Sequence, residues 1–154
     1  MGFKIEVNTK AITKKIDKMT DDIQKGIERG LLKVASETAQ VEQKFIEITT
    51  GNGKYTPTGQ LKNSVTIMPI QWSPYGASIV VKPTVNYAIY VNEGTGEFNP
   101  QGRTGGWYYT PDGGNTFFFT RGIQPHFFVD KTYDYMQDKV GKIIQEEIYK
   151  CCLR

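Results

Sequence analysis

A regular repeat of apolar side chains in the first third of the chain constrains the fold more than any other feature. From about residue 9 to residue 48 an apolar side chain recurs every three or four positions, except for one interval that Thr38 fills. This spacing places them on one face of a long amphipathic helix. They are Ile12, Ile16, Met19, Ile23, Ile27, Leu31, Val34, Val41, Phe45 and Ile48.

The predicted helix has two unusual properties. At 1.5 Å per residue it is about 60 Å long, which exceeds the width of a small domain, so we expect part of it to pack on another subunit. It also contains Gly26 and Gly30. Each glycine costs about 1 kcal/mol relative to alanine in a helix interior, which predicts a bend or a break at these positions.

Short segments of alternating character follow the helix and predict antiparallel strands. The first covers residues 64–68 and ends before Pro69, which cannot donate a ladder hydrogen bond. The second covers 77–81 and follows a Ser-Pro-Tyr-Gly turn, so we expect these two segments to pair. A third strand is predicted over 87–91.

A further hairpin is predicted around the turn sequence Pro-Asp-Gly-Gly at 111–114. Six aromatic residues flank this turn, so the hairpin is aromatic on both faces: Trp107, Tyr108, Tyr109, Phe117, Phe118 and Phe119. Aromatic enrichment with few acids is typical of subunit contacts, and Glu93, Glu97 and Asp112 are the only acids between residues 50 and 129. We therefore predict that the hairpin contacts a subunit or partner. The alternative is a nucleic-acid-binding module that stacks bases on the hairpin beside Arg103 and Arg121.

The last segment predicts a second amphipathic helix over 129–152, with Asp130 placed to cap its start. The order of elements predicts an α+β fold in a single domain, 1–154. It comprises a long N-terminal helix (9–48), an antiparallel sheet of about four strands with a protruding aromatic β-hairpin (55–128), and a C-terminal helix packed on the sheet (129–152).

Catalytic, cofactor and metal sites are not predicted. His126 is the only histidine, so a histidine-based metal cluster is unavailable and we expect this residue to have a packing or turn role. Glu93 and Glu97 could form a glycosidase pair, but nothing else in the sequence supports that chemistry. The adjacent Cys151 and Cys152 are interpreted as inert tail residues.

Composition and hydropathy bear on partners and location. Nineteen basic against sixteen acidic residues give a net charge of +3, far below that of a dedicated nucleic-acid binder. The sequence has no apolar run of the roughly 20 residues that cross a bilayer, so no membrane partner is expected. The first residues lack the apolar core of a signal peptide, so nothing in the sequence points to secretion.

Three short blocks, in this order and spacing, resemble the head–tail joining or tail-completion proteins of long-tailed double-stranded DNA phages and prophages. The first is Thr-Gly-Gln-Leu-Lys-Asn-Ser-Val at 58–65, the second covers 86–96, and the third covers 122–128. The positions that carry the resemblance are Thr58, Gly59, Leu61, Ser64, Tyr87, Ala88, Tyr90, Glu93, Gly94, Thr95, Pro125 and Phe127.

Two positions depart from this pattern. The family usually has an acid where this chain has Asn92, with Glu93 following it, and His126 is inserted between Pro125 and Phe127. One interpretation of all three blocks is that they specify the fold, and the other is that some of them contact a partner.

The resemblance implies a structural protein of the virion neck, made in the bacterial cytoplasm and without enzymatic activity. It implies a homo-oligomer arranged as a ring, which the symmetry of such tails makes hexameric. The implied partners are head connector or stopper proteins and a tail terminator or tail-tube protein, with DNA present only as the passing genome.

Overall fold

Two long helices, two short ones and three antiparallel strand pairs make up the part of the chain that the computed structural model describes, residues 9–50, 58–110, 113–114 and 116–153. The helices are α1 (Thr9–Thr50), α2 (Gln60–Asn63), α3 (Ala88–Glu93) and α4 (Phe128–Cys152), with a 3-10 turn at Gly96–Phe98. The strands are β1 (Val65–Ile67), β2 (Gln71–Ser73), β3 (Gly76–Ser78), β4 (Val81–Pro83), β5 (Trp107–Tyr109) and β6 (Phe118–Thr120). The predicted α+β class is confirmed.

Helix α1 is continuous through Gly26 and Gly30, so the predicted break is wrong. Both glycines face α4. A Cβ at Gly26 would lie 2.6 Å from the Ile148 Cα, and one at Gly30 would lie 2.9 Å from the Ile144 Cα. The glycines therefore allow the two backbones to approach closely. The packing gained in this way offsets the low helix propensity of glycine.

The same contacts show that α1 and α4 run antiparallel, because a later residue of α1 meets an earlier residue of α4. Since Gly26 lies opposite Ile148 and α4 ends at Cys152, the first three turns of α1 extend past the end of α4. Met19, in this overhang, is 60% exposed, whereas Leu31, further along the same apolar face, is buried. That the overhang packs on another subunit stays a prediction.

The strands form hairpins rather than one four-stranded sheet. Strand β1 pairs with β4 and β2 pairs with β3, so residues 65–83 form one long hairpin around the predicted turn at 73–76. Between the two pairs, residues 68–70 lie opposite 79–80, which is one extra residue on the Pro69 side. Because Pro69 has no N–H to donate, a bulge interrupts the ladder at this position.

Residues 87–91, predicted as a strand, form most of helix α3 instead. The Tyr87 carbonyl accepts hydrogen bonds from the N–H groups of Tyr90 and Val91, at 3.1 and 3.2 Å, which closes a helical turn. The helix buries Ala88 and leaves Tyr87 and Tyr90 exposed. Five apolar residues in succession fit a short helix as well as a strand, and tertiary contacts decide between them.

Helix α4 packs along α1, and its first residue reaches the strands. Phe128 is 1% exposed and lies in a cluster with Ile46 of α1, Leu61 of α2, Val65 of β1 and Ala88 of α3. A second cluster, formed by Val34, Met136 and Ile143, lies between the two long helices. None of the helices in the described part of the chain combines the length and the apolarity that a bilayer crossing demands.

One acid lies on the buried side of α1. Glu42 is only 4% exposed and is spaced by a whole number of turns from the buried Ala35 and Ile46. Burial disfavours the carboxylate and raises the pKa of Glu42 from 4.5 to about 7. The sequence analysis did not single out Glu42, because the apolar side chains of α1 are sufficient to predict the helix.

We predict that Gly26→Ala destabilises the protein by about 1–3 kcal/mol, because the added methyl group forces the helices apart. The matched control is Gly141→Ala in α4, where a Cβ meets no atom within 4 Å. That change is expected to stabilise the fold by up to about 1 kcal/mol through helix propensity alone. Urea unfolding of both variants measures the difference. A stabilised Gly26→Ala variant would contradict the close crossing.

We also predict that Glu42→Gln makes the protein more stable at neutral and alkaline pH. The folded carboxyl titrates near 7 and the unfolded one near 4.5, so the folded state holds an extra proton between these values. Stability of the natural chain therefore falls as pH rises through this window and stays lower above it. The variant should gain about 1–3 kcal/mol at about pH 8 and little at pH 4.5, measured by urea unfolding. An equal effect at both pH values would refute the burial argument.

Candidate interaction surface

The three sequence blocks that are far apart along the chain meet at one place in the structure. Leu61 and Val65 of the first block, Ala88 of the second and Phe128 of the third lie in the same buried cluster. The interpretation that the blocks specify the fold therefore has a physical basis at this junction.

The first block builds helix α2, which the sequence analysis did not predict, and delivers the chain into β1. Gly59 has a left-handed φ of 75° before the helix, and the N–H of Gln60 donates to Thr58 Oγ1 at 3.4 Å. Ser64 Oγ donates to the Leu61 carbonyl at 2.7 Å, which satisfies the end of the turn. The short helix turns Leu61 inward, so the block's polar residues hold the turn and its leucine fills the core.

The second and third blocks are joined through their backbones. The N–H of Thr95 donates to the Ile123 carbonyl at 2.9 Å, and the N–H of Ile123 donates to Thr95 Oγ1 at 3.0 Å. A Cβ at Gly94 would lie 2.9 Å from Pro125, and one at Gly122 would collide with the Thr95 carbonyl. Both glycines also have positive φ, so the junction requires glycine for conformation and for space.

Helix α4 is capped by a residue from α3 rather than by Asp130, which lies inside the first turn. Asn92 Oδ1 accepts the N–H of Val129 at 3.0 Å, and the Asn92 carbonyl accepts the N–H of Phe127 at 3.0 Å. The neighbouring His126 takes part through its backbone, since its N–H donates to the Val91 carbonyl at 3.1 Å. The predicted cap was wrong because a local pattern does not reveal an acceptor 37 residues away.

The cysteines are helical residues of α4 and not a tail. Cys151 is buried against α1, where Arg29 Nη1 donates to its sulfur at 3.6 Å, and Cys152 is exposed. Cys151 is thus a small packing residue at the end of the helix pair.

Beyond this junction, strands β5 and β6 form the predicted aromatic hairpin, in which Trp107 pairs with Thr120, Tyr108 with Phe119 and Tyr109 with Phe118. The ring centroids of Tyr108 and Phe119 are 5.2 Å apart, and those of Tyr109 and Phe118 are 5.9 Å apart. Successive pairs point to opposite faces of the hairpin. Both faces therefore carry an aromatic pair.

The hairpin is anchored at its base and exposed beyond it. Trp107 is half-buried and approaches Gly96, where any Cβ would contact its ring. The other five aromatic residues are 46–70% exposed: Tyr108, Tyr109, Phe117, Phe118 and Phe119. Because a fully exposed aromatic side chain presents about 150–250 Å², they expose roughly 400–700 Å² of largely apolar surface in total. Patches of this size usually mark an interaction site.

The charges near the hairpin are few. Glu97 accepts the N–H of Gly105 at 3.2 Å and lies 3.9 Å from the Arg121 guanidinium, so it offsets part of that cation. Glu93 lies at the other end of the Gly94–Gly96 segment and is exposed. The described residues contain no group of three or more acidic, histidine or cysteine side chains placed to hold a metal ion.

No protein-family model, curated protein or solved structure matches this chain.

One feature that the sequence analysis missed is a groove beside α3, with a volume of about 350 Å³. It is open to solvent and lies between α3, the end of β4 and the start of α4. We call it the α3 groove. The segment that forms its wall was predicted as a strand, so no groove could be expected there.

We predict that Asn92→Ala destabilises the protein by about 0.5–2 kcal/mol, because the first turn of α4 loses its side-chain acceptor. Asn92→Asp keeps an acceptor and adds a negative charge at a helix N-terminus, so it should be at least as stable as the natural chain. Asn86→Ala is the control, since Asn86 is an exposed asparagine just before α3, the helix that carries Asn92. Thermal and urea unfolding distinguish the three. An unaffected Asn92→Ala variant would exclude Asn92 as the cap.

Proposed function

We propose that this chain is a structural protein of a phage or prophage virion that forms a ring at the junction between head and tail. In this role its partners are head connector or stopper proteins on one side and a tail terminator or tail-tube protein on the other. The three resembling blocks support the family, and their meeting at one junction supports reading them as a unit.

The observation that carries an assembly role is the aromatic hairpin. Five of its aromatic side chains are about half exposed or more, and they lie on both of its faces. The described chain does have buried clusters, which contain phenylalanine and smaller apolar residues, but these five aromatic side chains lie outside them. Leaving such a surface in water sacrifices the free energy of its burial, roughly 25 cal/mol per Å². A protein that works within an assembly recovers that free energy when a neighbour covers the hairpin.

The overhang of α1 supports the same role. About three turns extend beyond the end of α4, and the exposed Met19 lies on the apolar face there. An exposed apolar residue at this place, far along the chain from the hairpin, suits a protein that contacts more than one neighbour.

Nucleic-acid binding remains the alternative, and the charge distribution favours it less. Arg103 and Arg121 are the basic residues nearest the hairpin along the chain, and Glu97 lies beside Arg121. Binding through phosphate contacts weakens steeply with salt. A salt titration with single- and double-stranded DNA tests this function, and tight salt-sensitive binding would favour it over the ring.

We predict that Phe117→Glu with Phe119→Glu gives a folded protein that no longer supports joining. Two carboxylates at these exposed positions oppose burial of the hairpin against a neighbour. The measurement is complementation of a lysate from the encoding phage or prophage that lacks this chain. Electron microscopy should show separate heads and tails, and the infectious titre should fall about tenfold or more.

The matched control for this test is Tyr75→Glu, because Tyr75 is a 98% exposed aromatic residue at the tip of the other hairpin. Circular dichroism establishes that both variants are folded. Normal joining by the Phe117 and Phe119 double variant would remove the hairpin from the proposed function. Normal joining in the complete absence of the chain would refute the function itself.

A further inference from the structure

The α3 groove has a mixed lining of six apolar residues, two asparagines and one acid. Its apolar lining comes from Pro83, Val85, Ala88, Ile89, Phe128 and Val129. Ile89 and Val129 remain about half exposed, at 54% and 47%, although they line a concave surface. No described residue of the aromatic hairpin lines the groove, so it is not filled by the hairpin of its own chain.

Glu93 lies on the lining of this groove. Its side chain is exposed and forms no ion pair with any residue in the described part of the chain. The groove therefore presents a largely apolar depression with two amide side chains and one negative charge that no described residue pairs. An apolar projection with a positive charge is complementary to it.

The aromatic hairpin has those complementary properties. Its exposed rings form an apolar projection, and Arg103, in the loop that leads into β5, is exposed and likewise forms no ion pair among the described residues. The aromatic surface of roughly 400–700 Å² is divided between the two faces of the hairpin, and it supplies part of the ~800 Å² per partner that an ordinary specific interface buries. The groove volume of about 350 Å³ gives room for aromatic side chains to enter.

We propose that the α3 groove receives the aromatic hairpin of a second copy of this chain, with Arg103 of one copy beside Glu93 of the other. This inference rests on the proposed ring and names its subunit contact. The hairpin and the groove are different surfaces of one chain, so the contact is heterologous. Each added copy leaves one hairpin and one groove free, and a closed ring uses both.

The test exchanges the two charges. Glu93→Arg alone and Arg103→Glu alone each place like charges across the contact, and each should weaken self-association about tenfold or more in sedimentation velocity. The double variant restores an opposite pair and should associate as the natural chain does. Asp138→Arg, which makes the same charge change at an exposed site on α4, is the control and should leave association unchanged.

Mixing the two single variants is the sharper arm. In an alternating assembly the groove of a Glu93→Arg copy meets the hairpin of an Arg103→Glu copy, which restores an opposite pair, and the next contact along the ring is the natural pair. An equal mixture should therefore recover assembly, and only in rings with an even number of subunits. A folding defect in either variant would not be repaired by mixing, and circular dichroism of each variant alone reports it directly.

Three results would overturn the contact: a natural chain that stays monomeric at every concentration, single variants that assemble normally, or a mixture and a double variant that both remain dissociated. If the natural chain stays monomeric, the complementation assay still tests the virion role, because the other virion proteins are present in it. Normal assembly of the single variants removes this contact and leaves a ring built through another surface. The two proposals can therefore fail separately.

Discussion

The close crossing of α1 and α4 at two glycines is the constraint on which the rest of the structure depends. Without side chains at Gly26 and Gly30, the backbones pack against each other at Ile148 and Ile144. The antiparallel register that follows sets Phe128, at the other end of α4, against Ile46. The strands and α3 therefore pack against the N-terminus of α4. A methyl group added at the crossing widens it and disturbs this packing.

The residues that specify the fold adjoin the two surfaces proposed to contact neighbours. Ala88, Asn92 and Phe128 belong to both sets, because they also line the α3 groove. Gly94 and Gly122 leave the space that the junction requires, and Asn92 accepts hydrogen bonds from the start of α4 through its side chain and its carbonyl. The hairpin projects from one side of this junction and the α3 groove opens beside it.

Long-range periodicity made the two long helices predictable, and the Pro-Asp-Gly-Gly turn made the aromatic hairpin predictable. Where the prediction failed, the causes lie in particular residues. The apolar stripe of α1 spans about ten turns, so the prediction of this helix did not depend on any one residue. The role of Gly26 is its close contact with α4, which the sequence of α1 alone does not reveal. Five residues at 87–91 are too few for periodicity to separate a helix from a strand. The cap from Asn92 and the burial of Glu42 arise from contacts between distant segments, which no local pattern contains.

The bulge at Pro69 and the short strand pairs have a consequence for how copies of the chain can associate. Each described strand is three residues long and has a single partner, so every one of them is an edge strand. Edge strands invite open-ended backbone pairing between molecules, and shortness, proline and bulges suppress it. With the backbone edges blunted in this way, the proposed contact between copies would depend on side chains, whose shape and charge can limit an assembly to a defined number of members.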